Sequence, residues 1–199
     1  MQREIPDSQK VNELISQLKI DSPIVGLPPI ENWHPDFTGD IDIQIRNTGE
    51  WFFQGDLMSR ESLVKLFAGI LRREDDGNYY LVTPVEKVRI SVDDAPLQIV
   101  DYHWRTLSDG LKVLELLSNL GDVVVLAADN TFRFSGGDGI TPYVHVRRGL
   151  LARVSRGVFY RLVEGAIADA EAENRVVDGE MDLYIESMGV RHALAREPS

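Results

Sequence analysis

Two short runs carry side chains suited to gripping an anion. His145-Val146-Arg147-Arg148 sets an imidazole beside two guanidiniums, and the planar fork of arginine matches a carboxylate or phosphate. On a strand, His145 and Arg147 are expected on one face, with Val144, Val146 and Arg148 on the other. Thr83-Pro84-Val85-Glu86-Lys87 places a carboxylate and an ammonium beside a proline that cannot donate to a ladder, which marks a bend or a sheet edge. Arg72-Arg73 and Tyr79-Tyr80 exceed what a helix end needs. The candidate ligand-binding set is therefore His145, Arg147, Arg148, Glu86, Lys87, Arg73 and Tyr80. The competing expectation is that the arginines pair with the protein's own carboxylates, Asp93, Asp94 or the acidic C-terminal segment.

Other chemistry finds little to build on. The sequence has no G-x-S-x-G elbow, Walker loop or H-E-x-x-H helix. Gly136-Gly137-Asp138-Gly139 joins strand-like segments and reads as a tight turn. His34, His103, His145 and His192 have no partner at metal-ligand spacing. Asp40 and Asp42 share a strand face, which could suit a hard cation or an acid/base pair, but they read as the polar side of an alternating strand. No catalytic residue, metal site or cofactor is assigned. The absence of cysteine removes disulfides, thiolate-zinc sites and thiol nucleophiles. A net charge of -11 disfavours nucleic acid. That charge is uneven, because residues 143–161 hold five arginines and no acid, whereas 164–186 are acidic with Arg175 as their one cation. Met1 to Ile20 lack a signal peptide's apolar run. Val123 to Ala128, the most apolar run, is far short of the roughly 20 residues of a membrane helix. A cytoplasmic location is expected, with neither membrane nor nucleic acid as a partner.

The elements that would position these residues follow from periodicity. Val11, Leu14, Ile15 and Leu18 predict an amphipathic helix capped by Asp7 or Ser8. Pro23, Pro28, Pro29 and Trp33-His34-Pro35 predict an extended linker. Ile41, Ile43 and Ile45 alternate with polar residues and turn at Asn47-Thr48-Gly49 into Trp51-Phe52-Phe53, a hairpin. Ser59 is placed to cap a helix with the stripe Leu63, Leu66, Phe67, Ile70 and Leu71, which Arg72 to Asp76 would close. Strands are expected at Tyr79 to Val82, Lys87 to Val92, Leu97 to Trp104, Leu111 to Leu117, Val123 to Ala127 and Phe132 to Phe134. Ser155 would cap a helix carrying Val158, Phe159, Leu162 and Ala166. Gly39-Asp40-Ile41 to Gly55 also parallels Gly121-Asp122-Val123 to Gly136, which suggests an internal repeat. The expected fold is α+β, with two related lobes, each an antiparallel sheet unit with a packed helix. Its divisions are 1–27 (helix and linker), 28–95, 96–172 and an acidic tail over 173–199.

The motifs Pro28-Pro29, Trp33-His34-Pro35, Gly39-Asp40-Ile41-Asp42, Gly49-Glu50-Trp51-Phe52 and the run Leu71 to Ala95 resemble a bacterial family, domain of unknown function 1285. Pro142 to Leu150 with Phe159-Tyr160 and Leu162-Val163 are similar to its C-terminal signature. That family has no established activity, so the resemblance implies an α+β fold with an internal repeat and no chemistry. Together these features lead to an expected regulatory or signalling module, not an enzyme, that takes a small anionic ligand or partner segment in a cleft between the lobes. Two alternatives stand beside it. One is a hydrolase using Glu86 or His145 as general base with Arg147 or Arg148 on an oxyanion. The other is a structural homodimer burying exposed Trp51, Phe53 and Trp104.

Overall fold

The alternation of Ile41, Ile43 and Ile45 becomes a buried face, at 4%, 1% and 0% exposure, along the first strand of the chain. The computed structural model describes residues 6–18, 27–135, 141–177 and 180–194, so Pro23 and the Gly136 to Gly139 loop lie outside the described residues. The chain divides into two units, Met1–Pro96 and Leu97–Ser199.

In the first unit, α1 (Pro6–Gln17) precedes β1 (Phe37–Ile45), β2 (Trp51–Phe53), β3 (Asp56–Leu57), α2 (Glu61–Gly69), β4 (Leu71–Arg73), β5 (Tyr79–Val82) and β6 (Lys87–Val92). The sheet order is β3-β2-β1-β6-β5-β4. In the second unit, β7 (Leu97–Thr106), β8 (Lys112–Ser118), β9 (Val123–Val125), β10 (Arg133–Ser135), β11 (Thr141–Arg147) and β12 (Leu150–Val154) are followed by α3 (Arg156–Glu173). That sheet runs β10-β11-β12-β7-β8-β9. Both six-stranded sheets have one plan. Three strands meander outward from the centre, the next three meander back from the far edge, and the first and last meet in the middle. The meeting pairs, β1 with β6 and β7 with β12, are parallel, while every other pairing within these two sheets is antiparallel. The sheets are therefore mixed, because a strand returning from the opposite edge re-enters in the direction of the first.

The duplication is thus real in the fold but not in the register read from the sequence. Position in the plan matches β1 to β7 and β2 to β8. The stretches aligned by sequence, β1-β2 and β9-β10, are not equivalent, since β9 and β10 occupy opposite edges of their sheet. Hairpins share a local grammar of glycine, aspartate and aromatic residues, and that grammar does not encode which edge a strand joins.

Two local expectations also change. Helix α2 stops at Gly69, and Leu71, Arg72 and Arg73 pair with Leu81, Tyr80 and Tyr79 instead of extending it. The turn Glu74 to Asn78 that joins them contains Asp76-Gly77, with Gly77 at φ 82°, a hairpin signal that outweighs the last residues of the helical stripe. The residue flanking the start of α2 is Arg60 in extended conformation, so Ser59 does not cap it. After α3 the chain forms β13 (Val176–Val177) with β14 (Glu180–Met181), then β15 (Tyr184–Ser187) with β16 (Val190–Ala193). The β15-β16 turn is Met188-Gly189 with positive φ at both, the geometry of a two-residue hairpin loop. Ile185 and Leu194 are buried, so 184–194 is packed structure and not a solvated tail. No helix among the described residues is long and apolar enough to cross a membrane.

Candidate functional site

In the first unit the residues singled out from sequence are committed to neighbours. The Tyr80 hydroxyl donates to Asp76 at 2.6 Å. That bond, with those from Asn78, holds the Asp76 carboxyl down at about 2. Lys87 lies 4.8 Å from the Tyr80 ring centroid and 2.7 Å from Glu74. Arg72 pairs with the same carboxylate at 2.6 Å and donates to the carbonyls of Ile30 and Trp33. Burial works against ionising Glu74, but Lys87 and Arg72 outweigh it and hold the group below the ordinary carboxylate value. Arg73 donates to the Gly77 carbonyl and sits over the Tyr79 ring. Glu86 is buried, with one oxygen accepting from Gln17 at 2.8 Å and the other from Thr38 at 3.1 Å. Glu86 and Thr83, whose hydroxyl donates to the Gln17 amide oxygen at 2.8 Å, fasten the end of α1. Asp40 is gripped by both nitrogens of the Arg89 fork, at 2.7 and 3.0 Å, inside an open cavity of about 740 Å³.

The second unit holds His145, Arg147 and Arg148. On β11, His145 pairs with Leu151 and Arg147 with Leu150, so one extra residue, Val146, bulges from the ladder. Paired residues share a face and Leu150 and Leu151 alternate, so the bulge puts His145 and Arg147 on opposite faces. Arg147 reaches Asp122 at 2.7 Å, with the two side chains only 13% and 15% exposed. Arg148 and Gly149, at φ 52° and 74°, form the two-residue turn into β12, and Arg148 is itself engaged within the protein. The expected constellation is thus two turn-and-pairing residues and one imidazole on another face. Trp51, named as a dimer contact, is 2% exposed, so it belongs to the core of the first unit. Trp104 is 46% exposed.

A different group stands out in the second unit, around a cavity of about 760 Å³ between α3, the far end of the β7-β8 hairpin and β15. Asn174, in the left-handed conformation, ends α3 and the amide of Arg175 bonds back to Ala170. This turns the Arg175 side chain to the cavity. Its side chain is 12% exposed, and its guanidinium lies 4.1 Å from the centroid of Tyr184. Glu173 stands 3.1 Å from Nε as an ion-pair partner, yet neither Nε nor Nη1 has a hydrogen-bond acceptor. Nη2 reaches the Ala166 carbonyl only at 3.5 Å. A buried donor left without an acceptor costs about 1–3 kcal/mol, more when charged. Buried polar groups in folded proteins rarely stay in that condition. The same cavity is lined by Tyr102 and Trp104 from β7, Lys112 from β8, Asp169 from α3 and Glu186 from β15. Sequence reasoning had noted Arg175 as the one cation of an acidic segment, which was the available signal. Its aromatic neighbours come from stretches that only the fold brings together.

A family model described as domain of unknown function (DUF1285), N-terminal domain, matches residues 28–95. A second, protein of unknown function (DUF1285), C-terminal domain, matches residues 96–194. Among solved structures, a DUF1285 family protein from Silicibacter pomeroyi DSS-3 is similar at 38% identity and a TM-score of 0.72, covering 92% of this chain and 95% of that one. Another, from Shewanella baltica OS155, is 30% identical with a TM-score of 0.49, covering 61% of this chain and 90% of that one. No curated protein matches the chain.

Proposed function

We propose that this chain, which belongs to the DUF1285 family, is a non-catalytic regulatory module that binds a small anionic ligand in the cavity of its second unit. One observation carries the reading. Arg175 is held largely out of solvent beside a cavity of ligand size, with Glu173 as the ion-pair partner of Nε and no hydrogen-bond acceptor at Nη1. A carboxylate or phosphate oxygen is the acceptor that a guanidinium takes best. The cavity of the first unit is a weaker candidate, because its arginine, Arg89, already grips Asp40 with two bonds. Arg147 and Lys87 likewise hold carboxylates of the protein itself.

The test is a thermal-shift titration with sodium benzoate, inorganic phosphate and adenosine monophosphate. A ligand at a hundred-fold over its dissociation constant stabilises by about 2.7 kcal/mol. At least one of these anions is expected to raise the transition of the wild-type protein and to leave Arg175→Gln unmoved. Absence of a shift with all three, or an equal shift in the variant, would defeat the reading.

A further inference from the structure

The charge and the ring surfaces around Arg175 narrow the ligand class. We infer that the cavity takes a zwitterion bearing a flat ring, of the kind an aromatic α-amino acid presents; this rests on the reading that the cavity is the ligand site.

Three sets of observations converge on that class. The first is the guanidinium of Arg175, which lines the cavity with Glu173 paired to Nε and no hydrogen-bond acceptor at Nη1, and so calls for one further acceptor. The second is the acidity of the remaining wall. Asp169 and Glu186 line the cavity, and neither carboxylate has a hydrogen bond or ion pair among the described residues. The other cavity cations are Arg161, which is taken by Asp101 at 2.8 Å, and Lys112 on β8, so the two carboxylates outnumber the one cation left beside them. Two carboxylates without partners repel a dianionic phosphate and attract an ammonium. A ligand with one carboxylate and one cationic nitrogen satisfies both ends, whereas a simple polyanion is attracted at Arg175 and Lys112 but opposed at Asp169 and Glu186.

The third set is aromatic. Tyr102 has the Arg161 guanidinium over its ring at 4.9 Å, and Tyr184 has Arg175 and Arg191 at 4.1 and 4.4 Å. Trp104 is 46% exposed, and no ring or cation among the described residues stacks on it. It is the open aromatic wall of the cavity. On α3, Gly165 lies between Arg161 and Asp169 at four-residue spacing, and a Cβ added there would meet nothing within 4 Å. That gap gives a flat group room to lie against the helix. Ring stacking on Trp104 with the polar ends on Arg175 and the carboxylates is the arrangement these surfaces complement.

The experiment is a calorimetric titration of the full chain with four probes: L-phenylalanine, 3-phenylpropionate, which lacks the ammonium, 2-phenylethylamine, which lacks the carboxylate, and L-leucine, which lacks the ring. Phenylalanine is expected to bind at least about ten-fold more tightly than each of the others. Asp169→Asn combined with Glu186→Gln should bring phenylalanine and 3-phenylpropionate to equal affinity. Trp104→Ala should weaken phenylalanine several-fold. If 3-phenylpropionate binds as well as phenylalanine and Arg175→Gln abolishes it, the zwitterion inference fails while the anion site stands. If inorganic phosphate competes more tightly than phenylalanine, the inference fails in the same way. If none of the four probes nor phosphate binds, both fall.

Discussion

Replacing Ser187 with alanine should loosen the hairpin that forms one wall of the cavity, and the size of the effect can be worked from its contacts. Ser187 is fully buried. Its hydroxyl accepts from the Leu114 amide at 2.9 Å and donates to the Leu126 carbonyl at 2.6 Å, tying β15 to the interior of the second sheet. Alanine removes both bonds and leaves the Leu114 N–H buried with no acceptor. At about 1 kcal/mol net per bond, with a further penalty for the orphaned donor, the loss is ~2–4 kcal/mol. For a unit of roughly 100 residues each kcal/mol moves the midpoint by about 4–8 °C, so the transition of the second unit should fall by about 8–32 °C. Urea denaturation and hydrogen exchange at Leu114 provide the assay. Glu186→Gln, at the exposed neighbouring position, should stay within about 0.5 kcal/mol of wild type. A Ser187→Ala protein as stable as that control, with Leu114 still protected, would mean that the hairpin is not packed on β8 and that the cavity lacks this wall.

Three further outcomes are expected. The Asp76 carboxyl, held at about 2 by the Tyr80 hydroxyl and Asn78, contributes stability that is complete above the unfolded carboxylate pKa and is lost as pH falls toward 2; in Tyr80→Phe its NMR titration midpoint should rise. His192 is buried, with Nδ1 against the Thr131 hydroxyl and Nε2 unpartnered, and burial lowers its pKa from 6.5. The unfolded chain therefore takes up the proton first, so stability should be greatest above pH 6.5 and fall below it, and His192→Leu should flatten that slope in a urea series. Glu86→Ala removes the acceptors of Gln17 and Thr38; it should speed proteolysis and amide exchange within 6–18 while exchange in β8 is unchanged.

What could be read from sequence was what local pattern decides. The isoleucines of β1 alternate and are buried in alternation, and the choice of strand for Leu111 to Leu117 agrees with β8. The repeat was legible as a fact and illegible in its register, because pairing β1 with β6 and β7 with β12 is non-local. Leu71 to Arg73 fitted the end of a helical stripe as well as a strand, and the Asp76-Gly77 turn decided the matter. The Val146 bulge inverted the face of Arg147, since a single extra residue shifts every later side chain by one position. The anion candidates followed charge density, but Arg147, Lys87 and Glu86 are consumed by Asp122, Glu74, Gln17 and Thr38. A cation matters for a ligand when the fold leaves part of it without a hydrogen-bond acceptor, and that property is not written in any one segment. Trp104, Arg175 and Tyr184 lie on β7, just past α3 and on β15, so no window of sequence shows them as a group.

The central claim is that the Arg175 guanidinium is held for an external acceptor, and its Nη1 resonance reports this directly. In a ¹H–¹⁵N spectrum of the free protein, that resonance should lack the downfield shift of a strong hydrogen bond. On saturation with L-phenylalanine or benzoate it should move downfield and exchange more slowly with water, while the Arg147 Nε–H, already bonded to Asp122 at 2.7 Å, stays in place. An Arg175 resonance that is already downfield in the free protein and unmoved by either compound would contradict the account.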